Sequence, residues 1–77
     1  MIAAYILIQT EVGVIGDVAG EVAAIKGVDS ADGVTGPYDV IARAEARSLD
    51  ELGRLVFRRV QAVPGVIRTL TCPVVHL

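Results

Sequence analysis

The residues with the most chemical potential lie together in one short run, Val34-Thr35-Gly36-Pro37-Tyr38-Asp39-Val40. Gly36 supplies backbone freedom and Pro37 a fixed φ, so the run reads as a turn. Asp39 then opens a strand. A carboxylate, a phenol and backbone amides converge there. Such a set suits a small zwitterion: the carboxylate takes its ammonium, and N–H or hydroxyl donors take its carboxylate. The same residues also make a well-formed turn in which Asp39 caps local amides, and spacing alone leaves both readings open. Thr69 and Thr71 add two same-face hydroxyls on another strand, where β-branched residues are at home in any case.

Other chemistry is poorly served. Cys72 is the only cysteine and His76 the only histidine, so neither an intrachain disulfide nor a metal cage can form. His76 is the penultimate residue, in a segment expected to fray. Cys72 has no base beside it and reads as a small strand residue. No grouping offers a nucleophile, a base and an oxyanion donor together. The expectation is therefore no catalytic residue, no metal and no cofactor.

The elements that position the turn follow from periodicity. Ala3 to Thr10 is apolar on both alternating faces, Ala4, Ile6 and Ile8 on one and Ala3, Tyr5 and Leu7 on the other, so it reads as a strand buried on both sides. Val14 to Ile25 places apolar residues at 14, 15, 18, 22 and 25, one stripe of a helix. Val28 to Thr35 is a weaker strand. Asp32-Gly33 and Thr35-Gly36-Pro37 compete as the following turn, and the second leaves the longer strand. Tyr38 to Arg47 alternates Val40, Ala42, Ala44 and Ala46 with Ile41, Arg43, Glu45 and Arg47, a half-polar pattern that suggests an edge strand or one lining a site. Ser48-Leu49-Asp50-Glu51 is a capping box, opening a helix that runs to about Ala62 with a stripe of Leu49, Leu52, Leu55, Val56, Val60 and Val63. Phe57 lies off that stripe. Val66 to Cys72 is the last strand, with Ile67, Thr69 and Thr71 on one face and Val66, Arg68, Leu70 and Cys72 on the other.

The order βαββαβ, with a Gly-Val after each helix, predicts a single α+β domain over 1–77. It is a ferredoxin-like sandwich: a four-stranded antiparallel sheet with both helices on one face. The 77 residues bury a small core, about 4,500 Å² of surface remaining by area scaling. The uncovered sheet face is apolar enough to need a cover, and a second copy packed sheet to sheet is the simplest one. Metal-carrying domains of this order need C-x-x-C after the first strand, and Thr10-Glu11-Val12-Gly13 has none. RNA-binding ones need central aromatics and a basic surface. Aromatics are 4% here and the net charge is −2, with a pI near 5.1. No apolar run is long enough for a membrane helix, and the first ten residues lack the basic start of a signal peptide, so cytoplasmic residence is expected.

Three landmarks in order, Val34 to Val40, then Val60-Gln61-Ala62-Val63-Pro64-Gly65-Val66, then Arg68-Thr69-Leu70-Thr71, resemble the Lrp/AsnC ligand-binding domain, also called the RAM domain. The resemblance spans essentially the whole chain. It implies dimerisation through the sheets, assembly of dimers into rings that are often octameric, and small effectors, typically amino acids, bound between dimers. It places effector contacts on Gly36, Tyr38, Asp39, Thr69 and Thr71. Pro37 departs from a turn that could donate an N–H at this position. Relatives of this family begin with a helix-turn-helix domain, whereas this sequence opens in its first strand. The expectation is a stand-alone amino-acid-binding module that acts in transcriptional regulation without touching DNA, in partnership with itself or with full-length family members. The alternatives are a small dimeric α/β-barrel enzyme or accessory subunit, with Arg43 or Arg68 inside a sheet-lined cavity, and an ACT-like regulatory domain.

Overall fold

The computed structural model describes all 77 residues. The chain forms β1 (Ile2–Thr10), α1 (Ile15–Ala23), β2 (Val28–Gly33), β3 (Val40–Ala46), α2 (Leu49–Leu55) and β4 (Val66–Pro73). A π-helical segment, Val56–Val60, prolongs α2. The sheet order is β2-β3-β1-β4 and every neighbouring pair is antiparallel. This is the ferredoxin-like βαββαβ sandwich that the sequence order predicts.

Alternation in β1 and β3 decides where the helices sit. Ala4, Ile6 and Ile8 of β1 and Val40, Ala42, Ala44 and Ala46 of β3 are buried in one cluster with Val18 and Val22 of α1, and with Leu52, Val56 and Val60 of α2 and its extension. Four alanines under the helices keep the layers close. Ser48 caps α2, its Oγ accepting the Glu51 N–H at 3.1 Å, the forward half of a capping box. Gly27 and Gly65, the two glycines that follow the helices, stand at φ +98° and +96°. A Cβ there would stand 2.7 Å from Leu55 Cδ1 or 2.9 Å from Val14 Cγ2, so the positive φ disfavours any side chain at both positions and the neighbouring side chains would have to shift as well.

Four expectations are corrected. β3 is internal, between β2 and β1; its polar face belongs to an open sheet surface, where Arg43 bridges Asp29 and Glu45. β3 begins at Val40, because residues 34–39 form the hairpin connection, and Asp32 and Gly33 remain in the β2 ladder opposite Ile41 and Val40. In β4 the simple alternation fails at its start. Thr10 pairs with Val66 and Gln9 with Arg68, so Ile67 is the extra residue of a bulge and Val66 turns to the helix side. Leu49 shares the angle of the α2 stripe but is 60% exposed, since it occupies the first turn, directly after the corner from β3.

The open sheet face is partly apolar. Ile41, Leu7 and Leu70 align across β3, β1 and β4, and Tyr5 and Leu70 are 45% and 47% exposed. The folded surface of 4977 Å² is close to the value expected from chain mass.

Candidate functional site

The hairpin connection is built by its own backbone. The Val34 N–H donates to the Asp39 carbonyl at 2.8 Å, closing the loop, and the Asp39 N–H donates to the Ile8 carbonyl at 2.9 Å, docking it on β1. Gly36 stands at φ +144°, and Pro37 follows it. The Pro37 carbonyl accepts the Gln9 side-chain amide at 3.2 Å. These contacts hold Tyr38 and Asp39, both half-buried, at the C-terminal end of β1.

Asp39 has a defined partner there. Its Oδ2 accepts the Thr10 backbone N–H at 2.8 Å and lies 3.5 Å from Thr10 Oγ1. The Thr10 hydroxyl also donates to the Glu11 carbonyl at 3.1 Å. Thr10 is buried and lies at the β1–β4 bulge, where its N–H would otherwise lose a ladder partner. Asp39 thus accepts an amide 29 residues away in sequence rather than the local amides of its own turn. It engages one carboxylate oxygen; no hydrogen bond forms at the other.

Thr69 and Thr71 share a face, as the alternation predicts, and it is the helix side: their register partners are Ile8 and Ile6. The Thr69 hydroxyl accepts the Gln61 side-chain amide at 2.9 Å, which ties β4 to the end of the π-helical segment. Val40, Ile8 and Thr69 form one row across three strands, so Thr69 lies about 10 Å from the start of β3, at two strand spacings. Thr71 is one pleat repeat further from that end, about 6.7 Å. Gly36, Tyr38, Asp39 and Thr69 therefore occupy one end of the sheet, with Thr71 next to it, but no cavity of the single chain joins them. The two grooves of the molecule are lined by other residues.

Three residues with roles at this end escaped the motif reading: Thr10, Gln9 and Gln61. Gln61 lies inside the second landmark, but nothing in sequence couples it to Thr69. The cations of the sheet-cavity alternative are placed as well. Arg43 is on the open sheet face and is held by Asp29 and Glu45. Desolvation would lower its pKa, but the charges and hydrogen bonds of Glu45 and Asp29 outweigh that and hold it above the ordinary value. Arg68 pairs with Gln9 on the same open face.

No curated protein matches the sequence. Among solved structures, TTHA0845 from Thermus thermophilus superposes with a TM-score of 0.92 at 28% identity, over 100% of this chain and 96% of that one. The hypothetical protein PHS023 from Pyrococcus horikoshii gives 0.89 at 27%, over 100% and 93%. The transcriptional regulator NMB0573 from Neisseria meningitidis, solved in complex with L-Met, gives 0.86 at 19%. This chain covers 50% of it and is itself covered to 97%. The family model of the Lrp/AsnC ligand binding domain matches residues 3–76, and the chain belongs to that family.

Proposed function

We propose that this chain is a non-enzymatic, oligomeric module that binds an amino acid and takes part in transcriptional regulation of amino-acid metabolism. The observation that carries the reading is the Asp39 carboxylate. One oxygen is anchored by the Thr10 N–H, which fixes the group at the surface end of the sheet, and the other is available to an ammonium. A pre-positioned carboxylate binds a cation at little ordering cost. Gly36 and Tyr38 flank it, and Thr69 and Thr71 supply hydroxyls for the effector's polar end. The Neisseria regulator bound to L-Met has the same fold, which supports the ligand class.

The five residues form no enclosed site in one chain, so the reading includes a second subunit to complete it. Sheet-to-sheet dimers cover the Ile41–Leu7–Leu70 row, and dimers gather into a ring, an octamer being the expected form. Full-length Lrp/AsnC regulators are candidate partners in such rings in the cytoplasm. Direct DNA binding is not part of the reading, because the chain is acidic overall.

A thermal-shift screen against the common amino acids tests this directly. A ligand at 100 times its dissociation constant stabilises the fold by about 2.7 kcal/mol. A stabilising amino acid whose effect is lost in Asp39→Asn supports the reading. The absence of any shift across the set contradicts it.

A further inference from the structure

The chain is acidic as a whole, yet its cations are concentrated in one place. A groove of about 540 Å³ is lined by Lys26, Arg47, Arg54, Arg58 and Arg59. These are five of the seven basic residues, in a chain that carries nine acidic ones. Lys26 comes from the end of α1, Arg47 from the corner after β3, and the three other arginines from α2 and its extension. None of the five forms a salt bridge, because both salt bridges in the molecule belong to Arg43. Two carboxylates share the groove, Glu45 and Glu51, and Glu45 is already engaged by Arg43.

The helix is patterned to aim its charges at this groove. Its lining positions are 51, 54, 55, 58 and 59, one stripe at helical spacing beside the buried stripe of Leu52, Val56 and Val60. Arg54 and Arg58 stand at i, i+4, a like-charge spacing that is destabilising within one helix. Arg58 and Arg59 lie on the π turn, where the Gln61 N–H donates to the Val56 carbonyl at 2.9 Å. Such turns are frequent at functional sites. The groove floor is fixed by backbone: the Gly27 carbonyl accepts the Glu45 N–H at 2.9 Å, and the absent side chain of Gly27 lets Leu55 close over it. Ile25 and Leu55 give that floor an apolar strip.

We propose that this groove binds the phosphate chain of a small polyphosphorylated molecule. Guanidinium forks match phosphate oxygens two at a time, and the volume is that of a small-molecule site. A single carboxylate or monophosphate would engage only one or two of the five cations, whereas a phosphate chain presents oxygens along its whole length. A bound chain also cancels the repulsion between Arg54 and Arg58. The groove lies at the opposite end of the sheet from the hairpin: it adjoins the Ile2–Ala46 pair, and the hairpin adjoins Ile8–Val40, about 20 Å away along β1. It is therefore a second site, independent of the amino-acid reading.

Calorimetry on the full chain with inorganic tripolyphosphate, in phosphate-free buffer, tests this. The wild type binds tripolyphosphate more tightly than orthophosphate. Arg54→Gln and Arg58→Gln each weaken it by about tenfold or more, the loss of a hydrogen bond to a charged group. Both arginines are exposed, so the variants stay folded by circular dichroism. Arg68→Gln, an exposed cation outside the groove, binds as the wild type does. ATP, in a second arm, competes for the same site. Tighter binding of ATP identifies a nucleotide whose base lies on the Ile25–Leu55 strip, and equal binding identifies the phosphate chain alone. No binding, equal affinity for orthophosphate, or arginine variants that bind like the wild type overturns the proposal. So does an equal loss in Arg68→Gln, which would mean that net charge and not the groove holds the anion. Displacement of tripolyphosphate by duplex DNA at equal phosphate concentration overturns it as well.

Discussion

The Asp39 carboxylate accepts the backbone N–H of Thr10 at 2.8 Å, across 29 residues of chain. The bond joins the hairpin connection to the end of β1 and fixes the one carboxylate of the turn motif. A single side chain therefore serves the fold through one oxygen, while its other oxygen makes no hydrogen bond.

Alanine and asparagine at position 39 separate those two roles. Asp39→Ala leaves the buried Thr10 N–H without its acceptor and costs about 1–3 kcal/mol of stability. Asp39→Asn keeps an amide oxygen for that N–H and loses the charge, so its stability falls by less. Chemical denaturation of both variants checks this. Equal losses would mean that the acceptor at Thr10 contributes nothing.

The two faces of the sheet respond differently to charge. Ile8 is fully buried, and Ile8→Asp unfolds the chain by placing an unpaired carboxylate in the core. Leu70 on the open face is 47% exposed, so Leu70→Asp leaves a folded chain that no longer dimerises. Circular dichroism with sedimentation distinguishes them, and a dimeric Leu70→Asp would place the dimer contact elsewhere.

The ends of the helices carry measurable stability. Ser48→Ala removes the Oγ acceptor of the Glu51 N–H and costs about 1 kcal/mol. Gly65→Ala forces a Cβ against Val14 at a φ of +96°, and a cost of about 1–3 kcal/mol follows from the backbone alone. Thermal unfolding of the two variants reads these values, with Gly65→Ala the larger.

Titration of fluorescent duplex DNA checks the regulatory mode. The net charge of −2 leads to no association tighter than about 1 µM at physiological salt. A salt-resistant, sequence-selective complex would contradict that.

The fold was legible because its signals were periodic. The stripe at 14, 15, 18, 22 and 25, the capping box at Ser48 and the paired Gly27-Val28 and Gly65-Val66 each have a local physical cause, and the order βαββαβ follows from them. What failed was non-local. The bulge at Ile67 depends on how β4 meets Thr10, and the internal place of β3 depends on which strands flank it. The candidate site divided in the same way. Gly36 and Pro37 announce a turn, and Asp39 stands out within it. The hydrogen bonds from Thr10 to Asp39 and from Gln61 to Thr69 join residues whose spacing carries no periodic signal. Lys26, Arg47, Arg54, Arg58 and Arg59 are scattered in sequence, and only the packing of α2 beside the end of α1 gathers them along one groove.

The central claim is tested most directly by isothermal calorimetry of the wild type, Asp39→Asn and Thr71→Val with the amino acid that gives the largest thermal shift. The wild type should bind. Asp39→Asn should lose about 1.5–3 kcal/mol of binding, the worth of a hydrogen bond to a charged group, and Thr71→Val about 0.5–1.5 kcal/mol. Equal affinity in all three proteins would contradict the account and place the effector away from the hairpin and β4.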